Sequence, residues 1–526
     1  VIWIQIYLQI YLMEALNMDD FQNVMQPIAE ESKRFKVLLV SFFNDEAYGI
    51  RSLHSTLIEN AIDAYMLFFK VESKQIILDH DAKTKKDFMH NLRNASDKEI
   101  ALLVNFITEN QINVIGFSLV SSHFYLYKRI YERIRNIQGL TIVIGGWQPS
   151  LNPDDCISYT DYLCIGEGEV ALRELIDLLA TNKNADHVLN FWINKTDITT
   201  KNPVRPLTRD LSSFPSPVYE HKYSYIIEND QIVNFEPAFD NSRYGTFIGR
   251  GCPFQCTYCS NSFMANIVYP TSWSRIRYRS IDHVKKEMVF VKSKLNNVRS
   301  INFYDEVFSP SMDWIRGFFS WYEKEINIPF YCFFFPGSCS EEKCRTLARA
   351  GLHGVWIGVQ SGSLRVRKEI FKRMYTNKQV IEQANIFHKY NVSVRYDFIF
   401  DNPFESFEES VESILLMLEL PQPFTVNLFS LKYFPNTEIT KMALSAKIIV
   451  EKDLDDNLKN DQDTYLINRD VENIDNRFIN HMAFYISCMS QNPKLLQQKD
   501  MIVKLINNYK NTRDITEVVE LIAPFL

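Results

Sequence analysis

The sequence of 526 residues predicts an α/β chain on two parallel sheets: a doubly wound sheet, then a partial (β/α)6 barrel, with a small helical region last. Three observations predict it. Short apolar runs alternate with helical spacing over ~150 residues from Phe35, as strands joined by crossover helices do. The alternation resumes near Tyr244 and reaches a sixth strand by Tyr433. Beyond Thr437 strands disappear.

In the first unit, residues 35–182, Lys36-Val37-Leu38-Leu39-Val40 is an apolar run bounded by polar residues, as in a buried parallel strand. Helical spacing follows at Leu53, Leu57, Ile58 and Ile62. Val114 to Ser118 is the next strand read, followed by a helix from Tyr127 to Ile137. Thr141 to Gly146 ends on a double glycine, and Asp161 to Ile165 leads into Gly166-Glu167-Gly168-Glu169, which opens a helix from Ala171 to Leu179. Such a Rossmann-like sheet holds its ligand at the carboxyl ends of the strands. No Gly-x-Gly-x-x-Gly follows the first strand, which disfavours a dinucleotide. Residues 183–243, with Pro203, Pro206, Pro215 and Pro217, read as a linker.

The barrel is expected over 244–437. Gly245 to Gly249 feeds a cysteine loop, and Ser300 to Tyr304 ends at Asp305-Glu306. Phe330 to Phe335, the run from Gly354, Val392 to Phe400 and Thr425 to Tyr433 follow. Residues 438–526 read as a helical domain, with Met501, Ile502, Leu505 and Ile506 on one face and Asp514 with Glu517 as a capping box. Glu451 to Asp463 is polar and acidic.

Composition narrows the function. A net charge of −7 supplies no basic field, so no nucleic-acid partner is expected. Nine cysteines, three of them clustered, do not form a secreted disulfide framework, and a reducing cytoplasm fits. The apolar opening, Val1 to Leu12, is too short to span a bilayer and lacks a basic flank or a cleavage site. Residues 1–34 read as an N-terminal extension, and no transmembrane segment is expected.

The chemistry lies in Gly249-Arg250-Gly251-Cys252-Pro253-Phe254-Gln255-Cys256-Thr257-Tyr258-Cys259. Three thiolates at Cys-x3-Cys-x2-Cys spacing can hold three irons of a 4Fe-4S cubane and leave the fourth open to a substrate or cosubstrate. A zinc knuckle would need a fourth Cys or His nearby, and none follows.

This loop resembles that of the radical S-adenosylmethionine enzymes. The resemblance implies that the open iron of a cluster on Cys252, Cys256 and Cys259 chelates S-adenosylmethionine, whose reductive cleavage gives a 5′-deoxyadenosyl radical. It places Tyr258 near the adenine, Asp305 and Glu306 at the methionine ammonium, and Gln360 and Ser361, within Gln-Ser-Gly-Ser, near ribose and carboxylate. Asp401-Asn402-Pro403-Phe404-Glu405-Ser406 matches a turn that usually reads Gly-x-Pro-x-Glu-Thr, with Asp401 replacing the glycine.

The first unit resembles the cobalamin-binding domain of one class of these enzymes, through Ser118-Leu119-Val120, Gly145-Gly146 and Gly166-Glu167-Gly168-Glu169. The resemblance implies cobalamin contacts at Ser118, Val120, Gly145, Gly146, Gly166 and Glu167. Domains that ligate cobalt through histidine carry Asp-x-His-x-x-Gly after the first strand. Here the loop reads Asn44-Asp45-Glu46-Ala47-Tyr48-Gly49, without histidine, and His54 and His123 are the nearest.

The activity implied is methylation of an unactivated carbon or phosphorus, with methylcobalamin as the methyl carrier and the deoxyadenosyl radical removing hydrogen from the substrate. The alternative is a radical rearrangement, cyclisation or oxidation without methyl transfer. A methylthiotransferase would need three more cluster cysteines in the first unit, where the first cysteine is Cys156. A corrinoid-binding sensor or carrier would leave the cysteine triad without a purpose. Expected partners are a small-molecule, lipid-like or peptide substrate and an electron donor such as flavodoxin or ferredoxin.

Overall fold

The computed structural model describes residues 35–71, 95–195, 199–454, 467, 469, 471–492 and 497–525. The 1–34 extension and most of the acidic stretch after Glu451 lie outside the described residues.

The first sheet has nine strands: β1 (Lys36–Phe43), β2 (Asp63–Val71), β3 (Val114–Ser118), β4 (Thr141–Gly145), β5 (Tyr162–Cys164), β6 (Phe191–Ile193), β7 (Thr200–Lys201), β8 (Ser224–Glu228) and β9 (Gln231–Asn234). Their order is β7-β6-β5-β4-β3-β1-β2-β8-β9. The inner six are parallel, while β6, β7 and β9 are antiparallel additions at the edges. Both faces are covered, as a parallel sheet requires. Leu38, Val40 and Phe42 pack with Leu103, Phe106 and Tyr127 of the helices Asp97–Glu109 and Phe124–Ile134. Val37 and Leu39 pack with Leu57 and Leu175 of the helices Tyr48–Glu59 and Glu169–Ala180 on the other face.

In the first sheet two features depart from expectation. Strand β2 is added: its Ala64 to Phe69 run follows the helical spacing ending at Ile62 so closely that it reads as more helix. Residues 183–243 are also more than a connecting segment, because β6 to β9 all join the first sheet. The prolines stand between these short strands, where a missing N–H costs no ladder bond.

The second sheet is wholly parallel: β10 (Arg243–Thr246), β13 (Ser300–Phe303), β14 (Phe330–Phe334), β15 (Leu352–Gln360), β16 (Ser393–Phe400) and β17 (Thr425–Ser430), adjacent in that order. The expected strand Gly245 to Gly249 is split: β10 stops at Thr246, and β11 (Gly249–Arg250) pairs antiparallel with β12 (Arg277–Tyr278). Side chains alternate across each strand. Phe330, Cys332, Val355, Ile357, Tyr396 and Phe398 enter the helix-covered core. Tyr331, Phe333, Trp356 and Asp397 alternate with them and are left half-buried on the concave face.

The tail contributes helices Glu438–Ser445, Ile474–Met489, Lys499–Thr512 and Thr516–Ile522. Phe478 stacks on Tyr509 at 4.0 Å between ring centroids. No capping box forms at the last helix; Asp514 Oδ1 accepts from the Thr516 amide at 2.9 Å and closes a turn. Asp401 takes the glycine-like conformation of the residue it replaces, φ 54°, and Asn480 of the tail donates to its Oδ1 at 2.9 Å. Among the described residues no helix is long and apolar enough to cross a membrane.

Candidate active site

A cavity of about 340 Å³ lies between the carboxyl ends of the first sheet and the cysteine loop. One wall carries Ser118, Gly145, Gly146, Gly166 and Glu167, and the opposite wall carries Phe247, Arg250, Gly251 and Glu306. This is the end of a doubly wound sheet where ligands bind, near the reversal of strand order between β1 and β3. Tyr48 and Gly49 also line it, from the loop that carries no histidine. A Cβ added at Gly49 would meet nothing within 4 Å.

Five of the six residues expected around cobalamin thus share one cavity. Val120 does not: it precedes a short 3-10 helix at Ser121–His123 and is 37% exposed. Two of the glycines are required by the protein's own packing. Gly146 has φ 97°, and a Cβ there would come within 2.8 Å of the Leu119 carbonyl oxygen. Gly166 has φ 81°, and a Cβ would lie 2.0 Å from Tyr269 Oη, which also accepts from the Glu167 amide at 3.0 Å.

The Glu167 carboxylate is turned toward the β11–β12 ribbon, where Arg277 donates to both its oxygens at 2.6 and 3.0 Å. Arg250 donates to Glu169 at 2.6 Å. These charge-assisted bonds tie the Gly-Glu-Gly-Glu turn to β11 and β12, and so fix the two cavity walls against each other. His54 is buried outside the cavity, with Nε2 3.0 Å from the Ala64 carbonyl, and His123 packs against Phe42 and Phe43.

On the cysteine loop Cys252, Cys256 and Cys259 are all unpaired by disulfides. Burial pushes the Cys252 thiol up to about 12 and the Cys259 thiol up to about 11, so both are neutral until a metal takes the proton's place. Among the described residues no three His, Cys, Asp or Glu are gathered tightly enough for a single metal ion. A cubane asks for a wider triangle, since each thiolate binds its own iron. The donor set fits that group.

Sequence reading missed Arg373, which no local pattern marks. Its buried Nη1 lies 3.4 Å from Cys256 Sγ and 3.1 Å from Tyr258 Oη, and its Nη2 donates to the Gly358 carbonyl at 2.6 Å. One guanidinium therefore joins the cysteine loop to the concave face of β15. Phe335 lies 4.5 Å below it and stacks at 3.7 Å on Phe254 of the loop.

Asp305 and Glu306 have separate surroundings. The Asp305 carboxylate accepts from the Gly249 and Ile248 amides at 2.6 and 3.2 Å, so it braces the entry to the loop. Glu306 reaches the cavity. Burial raises both to about 7, against the hydrogen bonds that lower them. Gln360, at φ 69°, holds Oε1 buried with no partner among the described residues, as a ligand-facing group would. Ser361 is fully buried and donates to Glu405 at 3.0 Å.

Burial also raises Glu405, from 4.5 to about 8. Between those values the folded chain keeps a proton that the unfolded chain has released, so this group's stabilisation is lost as pH rises through the window. Denaturant midpoints of the metal-free protein are expected to fall from about pH 4.5 to about pH 8, and Glu405→Gln to flatten the upper part of that curve. An unchanged slope would show that Glu405 ionises normally.

Two family models match the chain: the B12 binding domain over residues 36–176 and the Radical SAM superfamily over 246–417. An uncharacterized methyltransferase of Pyrococcus horikoshii is 22% identical over 363 residues, covering 68% of this chain and 74% of that one. The fold is shared with the radical S-adenosylmethionine methyltransferase TsrM of Kitasatospora setae, solved with tryptophan substrate and a SAM analogue: TM-score 0.61, 14% identity, 78% of this chain and 76% of that one. It is shared equally with the cobalamin-dependent radical enzyme OxsB, solved with aqua-cobalamin and S-adenosylmethionine: TM-score 0.61, 16% identity, 94% and 75%.

Fold and matched models together define an enzyme in which a corrinoid-type domain faces an iron–sulfur barrel. The chain belongs to the cobalamin-binding-domain-containing radical S-adenosylmethionine enzymes. Its cofactors follow from the two domains: a 4Fe-4S cluster and S-adenosylmethionine for one, cobalamin for the other.

Proposed function

We propose that this enzyme methylates an unactivated carbon or phosphorus centre. The observation that carries the reading is the shared cavity, which puts the strand ends of the first sheet and the cysteine loop on opposite walls of one space. When bound, S-adenosylmethionine and cobalamin supply the radical-generating and methyl-carrying chemistry.

The chain's part is to bind, orient and exclude water. Cys252, Cys256 and Cys259 hold the cluster, and Arg373 donates toward the sulfur of Cys256. Glu306 takes the ammonium of S-adenosylmethionine, while Asp305 positions the loop beside it. Tyr258 and Gln360 lie along the same cosubstrate, and Ser361 acts through Glu405. Ser118, Gly145, Gly146, Gly166 and the Glu167 backbone form the wall against the corrinoid, while Tyr48 and Gly49 close its side. Residues 35–182 form the cobalamin unit, 244–437 the radical unit and 438–526 the helical tail, with 183–243 completing the first sheet. A low-potential donor such as flavodoxin or ferredoxin supplies electrons in a reducing cytoplasm.

The test is product analysis after anaerobic reconstitution with iron, sulfide and hydroxocobalamin. With S-adenosylmethionine, reductant and substrate, both 5′-deoxyadenosine and S-adenosylhomocysteine are expected. Deoxyadenosine without S-adenosylhomocysteine would replace methyl transfer by rearrangement, cyclisation or oxidation.

A further inference from the structure

We infer that the substrate is a planar ring compound bearing an N–H donor or an ammonium group, laid along an aromatic strip on the concave face of the barrel. The inference rests on the proposed methyl transfer only for what is then done to the ring, and it favours carbon over phosphorus as the acceptor.

The strip runs from the cavity into the barrel. Phe247, on the cavity wall, lies 6.1 Å from Tyr304, which lies 6.2 Å from Phe333, which stacks on Trp356 at 4.8 Å and 16°. The four rings come from the ends or middles of four adjacent strands, β10, β13, β14 and β15. All are half-buried, whereas their neighbours in each strand are sealed beneath the helices. Half-buried aromatic rings in a concave wall favour a flat partner, because stacking adds to the burial of apolar area.

The next two strands supply the polar end. Asp397 of β16 accepts from Asn427 Nδ2 of β17 at 2.8 Å through Oδ1, and its Oδ2 has no donor among the described residues. Burial raises this carboxyl to about 6 against the lowering effect of Asn427, Arg395 and Arg373, and a further donor brought beside it would relieve that cost.

Of the cations near the strip only Arg243 is paired with a carboxylate among the described residues. Arg243 pairs with Glu46 at 2.8 Å, Arg373 is held by Gly358 and Tyr258, and Arg395 lies over Trp356 with Nε on Thr425 Oγ1 at 3.3 Å. A phosphorus anion entering here would meet the carboxyls of Asp397, Glu306 and Glu46 as well as the guanidiniums of Arg373 and Arg395. A ring with a donor meets aromatic faces and an acceptor.

Calorimetric titration of the anaerobically reconstituted holoenzyme tests this without turnover. The probes are tryptamine, 5-aminoindole and 2-naphthylmethylamine, with 2-hydroxyethylphosphonate as the anionic control. At least one ring amine is expected to bind, about tenfold or more weakly in Asp397→Asn and in Trp356→Leu, and the phosphonate not to bind. Phe333→Leu, also on the strip, is the second aromatic variant, and retained cluster absorbance identifies the variants that fold. Silence from every ring amine, binding unchanged in all folded variants, or binding of the phosphonate instead would overturn the inference. Ring binding without S-adenosylhomocysteine formation would refute methyl transfer and leave this site standing, and methyl transfer to a phosphonate would do the reverse.

Discussion

Cys256→Ala is expected to abolish assembly of the iron–sulfur cluster and, with it, all reductive cleavage of S-adenosylmethionine, while the first sheet stays folded. Cys256 is one of three thiols on one loop, and a cubane left with two protein ligands has lost its hold on a second iron. The loop's backbone is fixed independently of that sulfur, through Asp305 on the Ile248 and Gly249 amides and through Thr257 Oγ1, which donates to the Ile370 carbonyl at 2.6 Å. Loss of the thiol therefore removes chemistry more than structure. Cys344→Ala is the control, since Cys344 is fully buried in the helix Glu341–Arg349, away from the loop. It should keep the cluster's visible absorption. Cleavage of S-adenosylmethionine surviving in Cys256→Ala would defeat the assignment of the loop.

Arg51→Met is expected to destabilise the first domain by roughly 3–5 kcal/mol, the cost of leaving a buried charge without its partner. Arg51 and Glu236 are both fully buried and share a two-pronged pair at 2.6 and 3.0 Å. Burial alone would raise the Glu236 carboxyl, but the guanidinium holds it below its usual value. Arg51 also donates to the Asp45 and Glu46 carbonyls at 2.9 Å each, shaping the loop before Tyr48 and Gly49. The double variant Arg51→Met, Glu236→Leu should recover part of the loss, because an apolar pair carries no stranded charge. Urea denaturation followed by circular dichroism reads both. A single variant as stable as the parent would mean that the pair contributes nothing net.

These residues show where sequence reading succeeds and where it stops. The cysteine loop is legible because its ligands are contiguous, and the strands are legible because apolar runs alternate with helical spacing. Gly146 and Gly166 were found by position, but their reason, room for Leu119 and for Tyr269, is long-range. Arg373 was invisible because it meets Cys256 across 117 residues, and Arg51 because Glu236 lies 185 residues away. Proline-rich spacing around β6 to β9 says that helices are broken, not that the pieces between them join a sheet. Val120 belongs to the same motif as Ser118, yet it stands at the start of the turn after β3, is 37% exposed and does not line the cavity.

The central claim is that the corrinoid occupies the cavity shared by the two sheets. Gly49 lies on its wall, and a Cβ there would meet nothing within 4 Å, so Gly49→Trp starts in open space and adds bulk at the cavity wall. The decisive measurement is the corrinoid retained after anaerobic loading with hydroxocobalamin and desalting, read from its visible spectrum. The parent is expected to keep an equimolar amount, and Gly49→Trp to lose it while still assembling the iron–sulfur cluster. Equal retention by both proteins would place the corrinoid elsewhere and contradict the account.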